Sequence, residues 1–212
     1  MSAIEFYCII CQNNRNFYKY LEKEGTVYIK CLECGLILKK TEIIANQIEN
    51  KYDDKKYFKG YLSNYKEFIK IFNQMLNLIE KYKNPGKILD IGCGLGLFLY
   101  LAKKRGWEVS GIEISKFASN FAKNKLKLNV INSDNLDIFQ DNFFDVIVVN
   151  HVLEHIKNPL LILRQIEKKL NINGILFIGV PNINGLFPRF QKENWPSLQP
   201  STHFYQFTPK TL

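Results

Sequence analysis

The sequence predicts an α/β fold: a parallel sheet covered by helices on both faces, preceded by a small cysteine-rich module. Three observations predict it. From residue 87 onward, near-continuous apolar runs such as VIVV and ILFIGV alternate with stretches of helical period, as strands buried on both faces require. The first of these runs, ILDIGCGLGLF at 88–98, breaks into three glycines and turns apolar again where a helix should begin. Four of the five cysteines form two C-x2-C pairs near the N-terminus.

Taken in order, residues 1–40 read as a module of short β-prone runs around the two cysteine pairs, and 41–84 as a linker and an N-terminal helix. A polar, aromatic-dotted stretch covers 39–63. In YKEFIKIFNQMLNLIEKY, Phe68, Ile71, Phe72, Met75, Leu76 and Ile79 recur at helical spacing, a stripe suited to packing on a core. Asn84-Pro85-Gly86 ends that helix. Residues 85–212 then form the main domain, with strands expected at 87–91, 108–113, 129–132, 145–150 and 174–180 and helices at 96–105, 116–125 and 158–170. No internal repeat or low-complexity segment interrupts this order.

A strand that ends in glycines and hands over to a helix offers backbone N–H groups to a nucleotide that can approach closely. The dinucleotide spacing G-x-G-x-x-G would put a third glycine at position 97, which is Leu97; the chain has Gly92, Gly94 and Gly96 instead, with Cys93 as a small residue in the turn. Asp90, two residues before the first glycine, suits a cationic amine better than a pyrophosphate. Glu113 lies 19 residues after Gly94, at the end of the second strand, where a carboxylate can accept from both hydroxyls of a ribose. Asp134 follows the third strand, within reach of an adenine amino group. An amine, a ribose and an adenine in that order describe S-adenosylmethionine.

On these residues the chain resembles the class I S-adenosylmethionine-dependent methyltransferases, in the group that includes quinone-pathway enzymes. ILDIGCGLG, VSGIEIS, FFDVIVVNHVLEHIKNP and LNINGILFIGVPN are similar, in order, to that family's nucleotide loop, ribose strand, fourth strand and fifth strand, over about 86–211. The resemblance implies a Rossmann-like doubly wound sheet and direct methyl transfer. It also implies that Asp90 with Gly92, Cys93, Gly94 and Gly96 holds the methionine part, Glu113 with Ile114 the ribose side, and Asp134 with Asn135 the adenine. Asn150 and His151, just past the fourth strand, are expected to border the methyl group, with His151 a candidate general base for a hydroxyl or carbon acid. In the same resemblance His203, Tyr205, Arg189 and Trp195 are candidates for the acceptor pocket, His203 being a second candidate base. His151-Val-Leu-Glu154-His155 also fits H-x-x-E-H, but a zinc peptidase needs a long helix and a further ligand, and here the motif ends a strand.

Cys8, Cys11, Cys31 and Cys34 have the spacing of two knuckles giving four thiolates to one Zn2+, a closed and therefore structural site, and Gly35 suits the second knuckle. The module is expected to be a zinc ribbon. Net charge is +9, but residues 1–84 carry 14 Lys plus Arg against 10 Asp plus Glu and 85–212 carry 15 against 10, so no basic arm exists. The apolar runs are too short for a membrane span and the N-terminus lacks a signal pattern, which predicts a cytoplasmic protein. The ribbon resembles those that precede methyltransferases of sugar and surface-polysaccharide pathways, implying a small-molecule acceptor, a sugar or sugar-linked metabolite. Two alternatives remain: a zinc-ribbon ribosomal RNA methyltransferase, and a truncated cofactor-binding module without turnover. Thr208-Pro209 reads as the start of a helix that the sequence does not continue, so a longer natural chain is expected.

Overall fold

The computed structural model describes residues 4–40 and 58–212; most of the aromatic-dotted stretch lies outside the described residues. The strands are β1 (Ile4–Cys8), β2 (Asn13–Lys23), β3 (Thr26–Cys31), β4 (Ile37–Lys39), β5 (Lys87–Ile91), β6 (Glu108–Ile112), β7 (Val130–Ile131), β8 (Phe144–Asn150), β9 (Leu170–Gly179) and β10 (Tyr205–Gln206). The α-helices are α1 (Lys59–Ser63), α2 (Tyr65–Glu80), α3 (Leu97–Lys104), α4 (Lys116–Lys125), α5 (Pro159–Lys169) and α6 (Leu186–Gln191). They group into two compact units that interleave along the chain: one gathers 4–40, 151–161 and 179–212, the other 58–150 and 162–178.

The second unit is built on a sheet of order β7-β6-β5-β8-β9. β5 lies between β6 and β8, parallel to both, with Ile88 level with Val109 and Val146. Its burial on both faces follows from its composition: Ile88, Leu89 and Ile91 are all in the core. The helical stripe of α2 buries Phe72, Met75, Leu76 and Ile79 as its spacing requires, whereas Ile71 falls on the outer edge of the stripe, 47% exposed. One side-chain cluster ties the end of α2 to the turn before β6. Arg105 donates to Asn77 Oδ1 and Glu80 Oε2 through Nη1 and to Asn73 Oδ1 through Nη2, while Trp107 Nε1 donates to Glu80 Oε1. β9 begins four residues before the position that Gly174 suggests, and Asn173 takes φ 66° within it.

The first unit contains an antiparallel sheet of order β1-β2-β3-β4-β10. β1 to β4 are consecutive meander strands, but the last position is filled from far along the chain: Tyr205 pairs with Leu38 and Gln206 with Ile37. Lys23 Nζ donates to the carbonyls of Trp195 and Leu198, and Lys39 Nζ to that of Pro200, so two strand lysines clasp the same C-terminal segment. Tyr28 and Ile37 pack with Ile183, Trp195 and Leu198 in a small core of this unit. Among the described residues no helix is long and apolar enough to cross a membrane.

Candidate cofactor site and histidine cluster

At the C-terminal end of β5 the chain turns through Gly92, Gly94 and Gly96 at φ 69°, 53° and 81°, a left-handed series that side chains resist. Gly96 shows the requirement most directly: a Cβ there would lie 2.7 Å from Leu128 Cδ1 and 2.9 Å from Ala122 Cβ. The loop is stitched to β6, with the N–H groups of Gly92 and Cys93 both donating to the Ile112 carbonyl. Glu113 then closes it. Its Oε2 accepts from Gly94 N–H at 2.8 Å and its Oε1 from Ser115 N–H at 2.8 Å.

Glu113 and Asp90 are 7% and 6% exposed. Burial pushes Asp90 well above the usual carboxylate range and the neighbouring Glu113 adds to the shift. Burial raises Glu113 as well, against the backbone donors of Ser115, Gly94 and Ile114. Two buried carboxyl groups side by side favour a cationic occupant, and the glycine loop leaves a Cβ-sized approach open over Gly94, where the nearest atom is Phe58 Cε1 at 3.8 Å. These features fit the methionine and ribose ends of S-adenosylmethionine.

The third acid is placed less directly. Asn132, just past β7, donates to the carbonyls of Glu113 and Ile114, both at 2.8 Å, so the loop that follows is anchored to the backbone of Glu113 and its neighbour. Asp134 and Asn135 lie exposed in that loop, and Asn135 Oδ1 accepts from Asp137 N–H as the cap of a short 3₁₀ turn. Ile114 is 43% exposed, an apolar surface beside Glu113. Asn150 ends β8, the strand adjacent to β5.

Sequence reasoning missed α1 and the residue before it. Phe58 packs with Leu95 and Ala118, and Tyr61 joins that cluster while stacking on Phe68 with ring centroids 4.2 Å apart. Burial, with the charges of Asp90 and Cys93 next, raises the Tyr61 phenol. The signal was the aromatic pair in FKGY, indistinguishable by pattern from a linker.

In the first unit, Cys8, Cys11, Cys31 and Cys34 bring their sulfurs within 4.8 Å of one another and none is in a disulfide. Cys8 Sγ and Cys34 Sγ are 3.5 Å apart, Leu36 N–H donates to Cys34 Sγ, and Gly35 takes φ 83°. A four-sulfur cluster with a backbone N–H donating to one sulfur fits the donor set of tetrahedral Zn2+.

The same unit holds all three histidines. His151 is forced to φ 56°, its N–H donating to the Gly179 carbonyl, and its side chain is 62% exposed with Nδ1 3.3 Å from Glu154 Oε1. His203 is 3% exposed and meets the His155 ring edge to face at 4.6 Å. Burial, then the charge of His155, lowers His203 to about 4. Of the acceptor-pocket candidates, Trp195 and Tyr205 are buried, the Tyr205 hydroxyl donating to the Lys157 carbonyl, and Arg189 is exposed on α6 beside Phe187 and Phe190.

Comparison with known proteins gives this geometry a family. Residues 61–212 match a family described as methyltransferase domain. A ubiquinone biosynthesis O-methyltransferase of Rickettsia conorii is 30% identical over 116 residues, covering 52% of this chain and 39% of the relative. An (S)-tetrahydroprotoberberine N-methyltransferase of Eschscholzia californica is 30% identical over 152 residues, covering 66% of this chain and 43% of the relative. The chain thus spans less than half the length of either. Among solved structures, a SAM-dependent methyltransferase from Archaeoglobus fulgidus superposes with a TM-score of 0.58 at 27% identity, covering 72% of this chain and 70% of the other. With its glycine loop, its buried Glu113 at the end of β6 and its Rossmann-like sheet, the chain belongs to the methyltransferase-domain family with the class I S-adenosylmethionine-dependent fold.

Proposed function

We propose that this chain is an S-adenosylmethionine-dependent methyltransferase acting on a small molecule, with a structural Zn2+ on its four N-terminal cysteines. The observation that carries the reading is Glu113, a buried carboxylate that joins the glycine loop to the end of β6. In this reading Asp90 receives the cofactor's amine, the turn at Gly92, Cys93, Gly94 and Gly96 cradles its methionine part, and Glu113 accepts from the ribose hydroxyls. Ile114 supplies an apolar plate for the adenine, whose polar edge meets Asp134 and Asn135. When bound, the sulfonium provides an activated methyl group, so the protein must align the acceptor, exclude water and, for a hydroxyl acceptor, remove a proton. In this reading the exposed His151 imidazole, beside Glu154, is the group that would accept that proton, and Asn150, at the end of β8, is assigned to the cofactor side.

The acceptor class has two supports that differ in detail. The ribbon's resemblance to those of surface-polysaccharide enzymes favours a sugar or sugar-linked hydroxyl. The relatives carry names of O-methylation in ubiquinone biosynthesis and N-methylation of an alkaloid, which favour a ring-bearing acceptor. Both are small molecules, and nothing in the even charge distribution favours RNA over them. The experiment is calorimetric titration of zinc-loaded protein with S-adenosylhomocysteine, alongside Asp90→Ala and Glu113→Ala. Micromolar binding that weakens by about 10-fold or more in each variant is expected, as loss of a charge-assisted hydrogen bond implies. Unchanged binding in both variants would refute the assignment of the site. Turnover with nucleotide sugars against dihydroxybenzoate-type phenols then separates the acceptor classes.

A further inference from the structure

Helix α2 is held to its own unit on two sides. One side buries Phe72, Met75, Leu76 and Ile79 in the core. A second, polar side carries Asn73, Asn77 and Glu80, whose side chains accept from Arg105 and Trp107. A third side is apolar and faces solvent. Ile71 and Leu78 on it are 47% and 44% exposed, and Tyr82, in the last turn where its N–H reaches the Ile79 carbonyl, is 73% exposed. Single exposed apolar side chains are ordinary, but a row of them on one helix face asks for a partner.

The row has a period of its own. Phe68, Ile71, Met75, Leu78 and Tyr82 are spaced three, four, three and four residues apart, the a and d positions of a heptad repeat. The core-facing residues 72, 75, 76 and 79 instead follow the i, i+3, i+4, i+7 pattern of a helix lying on its own core. Phe68 and Met75 are shared with that core and form the margin between the two seams. On the solvent flank of the heptad seam the g positions are Glu67, Gln74 and Lys81. All three are exposed, and among the described residues their side chains make no hydrogen bond or ion pair.

We propose that this face of α2 is the interface of a two-fold symmetric dimer, a second copy of the chain packing its own α2 antiparallel along the same seam. The charges choose the occupant and the direction. Glu67 and Lys81 each stand seven residues from Gln74. In an antiparallel helix pair a faces d and g faces g, so an axis at Gln74 sets Glu67 against Lys81 of the second copy, and each such pair forms twice. Gln74 then meets Gln74 on the axis, where two amides can exchange N–H···O bonds. The same register sets Ile71 against Met75 and Phe68 against Leu78. A parallel pair would instead set g against e, and the e positions are Phe72 and Ile79, which the core has already taken. One helix pair is a small interface, below the roughly 1,200 Å² of total buried area usual for stable complexes, so a dissociation constant on the order of 1–100 µM is expected.

Sedimentation equilibrium on the whole chain, from about 1 to 300 µM, tests this, with passage from monomer to dimer expected across the range. Leu78→Glu puts a charge into the seam and should weaken association by about 10-fold or more. Glu67→Lys and Lys81→Glu should each weaken it by about threefold or more, since each sets like charges face to face at both ends. The double reversal, Glu67→Lys with Lys81→Glu, should return association to within about twofold of the parent. The charge variants sit at exposed positions, and circular dichroism melts at the lowest concentration show that every variant is folded. A monomer throughout the range would leave the stripe to another part of the chain or to a different protein and would overturn the proposal. So would association that survives Leu78→Glu, or a double reversal no tighter than the single variants. The readout is mass alone, so failure of the methyltransferase reading would leave this result unaffected.

Discussion

Asp90 shows at the scale of one residue how the site trades stability for binding. Burial raises its folded-state pKa above the ordinary value of 3.8, and no ion-pair partner stands against it among the described residues. Stability linked to such a group is fully present below the unfolded value and is lost as pH rises through the folded one. Asp90→Asn, which cannot ionise, should therefore melt higher than the parent in the ligand-free state at pH 7.5, by about 2–4 °C for a gain on the order of 1 kcal/mol, and match it near pH 3.5. Thermal melts at the two pH values check this, and the same variant should lose S-adenosylhomocysteine binding. Gly96 gives a second expectation: Gly96→Ala must adopt φ 81° and push into Leu128 and Ala122, costing roughly 2–4 kcal/mol in denaturant titration. Both residues could be read from the sequence because their roles follow from spacing after a strand. Phe58 and Tyr61 could not, since what they do depends on which loop the fold brings to them.

Among the elements, β5 and α4 have the bounds that the pattern predicts, and β6, β8, α3 and α5 differ by a residue or so at an end. These are elements whose neighbours lie close in sequence or whose apolar run is continuous. β10 is the opposite case. It has only two residues and pairs with β4, more than 160 positions away, so neither period nor composition marks it. The tie between α2 and the β6 turn is testable. Glu80→Ala removes the acceptor of both Arg105 Nη1 and Trp107 Nε1 and should cost about 1–3 kcal/mol, measured by urea unfolding. For the four-cysteine module, a chelator that strips the proposed Zn2+ should raise hydrogen exchange across β1 to β4 and at 203–207, because β10 is part of that sheet, and leave β5 to β8 protected. Uniform loss of protection would show that the module is not a separate cooperative element.

For the whole molecule the question is what a charge of +9 is for. An RNA reader loses affinity by orders of magnitude between 50 and 200 mM salt, whereas a small-ligand enzyme holds its cofactor almost independently of it. Fluorescence anisotropy with unrelated RNA oligonucleotides should give weak, sequence-blind binding that disappears over this range, while S-adenosylhomocysteine affinity stays within about twofold. Retention of one RNA sequence at 200 mM would reverse that reading. The interleaving of the two units has a last consequence, for the order in which the protein is made. Strands β1 to β4 leave the ribosome well before β10, yet the edge of β4 waits for Tyr205 and Gln206. At 5–20 residues per second the intervening chain takes roughly 8–33 s to synthesise. Throughout that interval the nascent module carries an open strand edge, which makes it a natural client for whatever guards emerging chains.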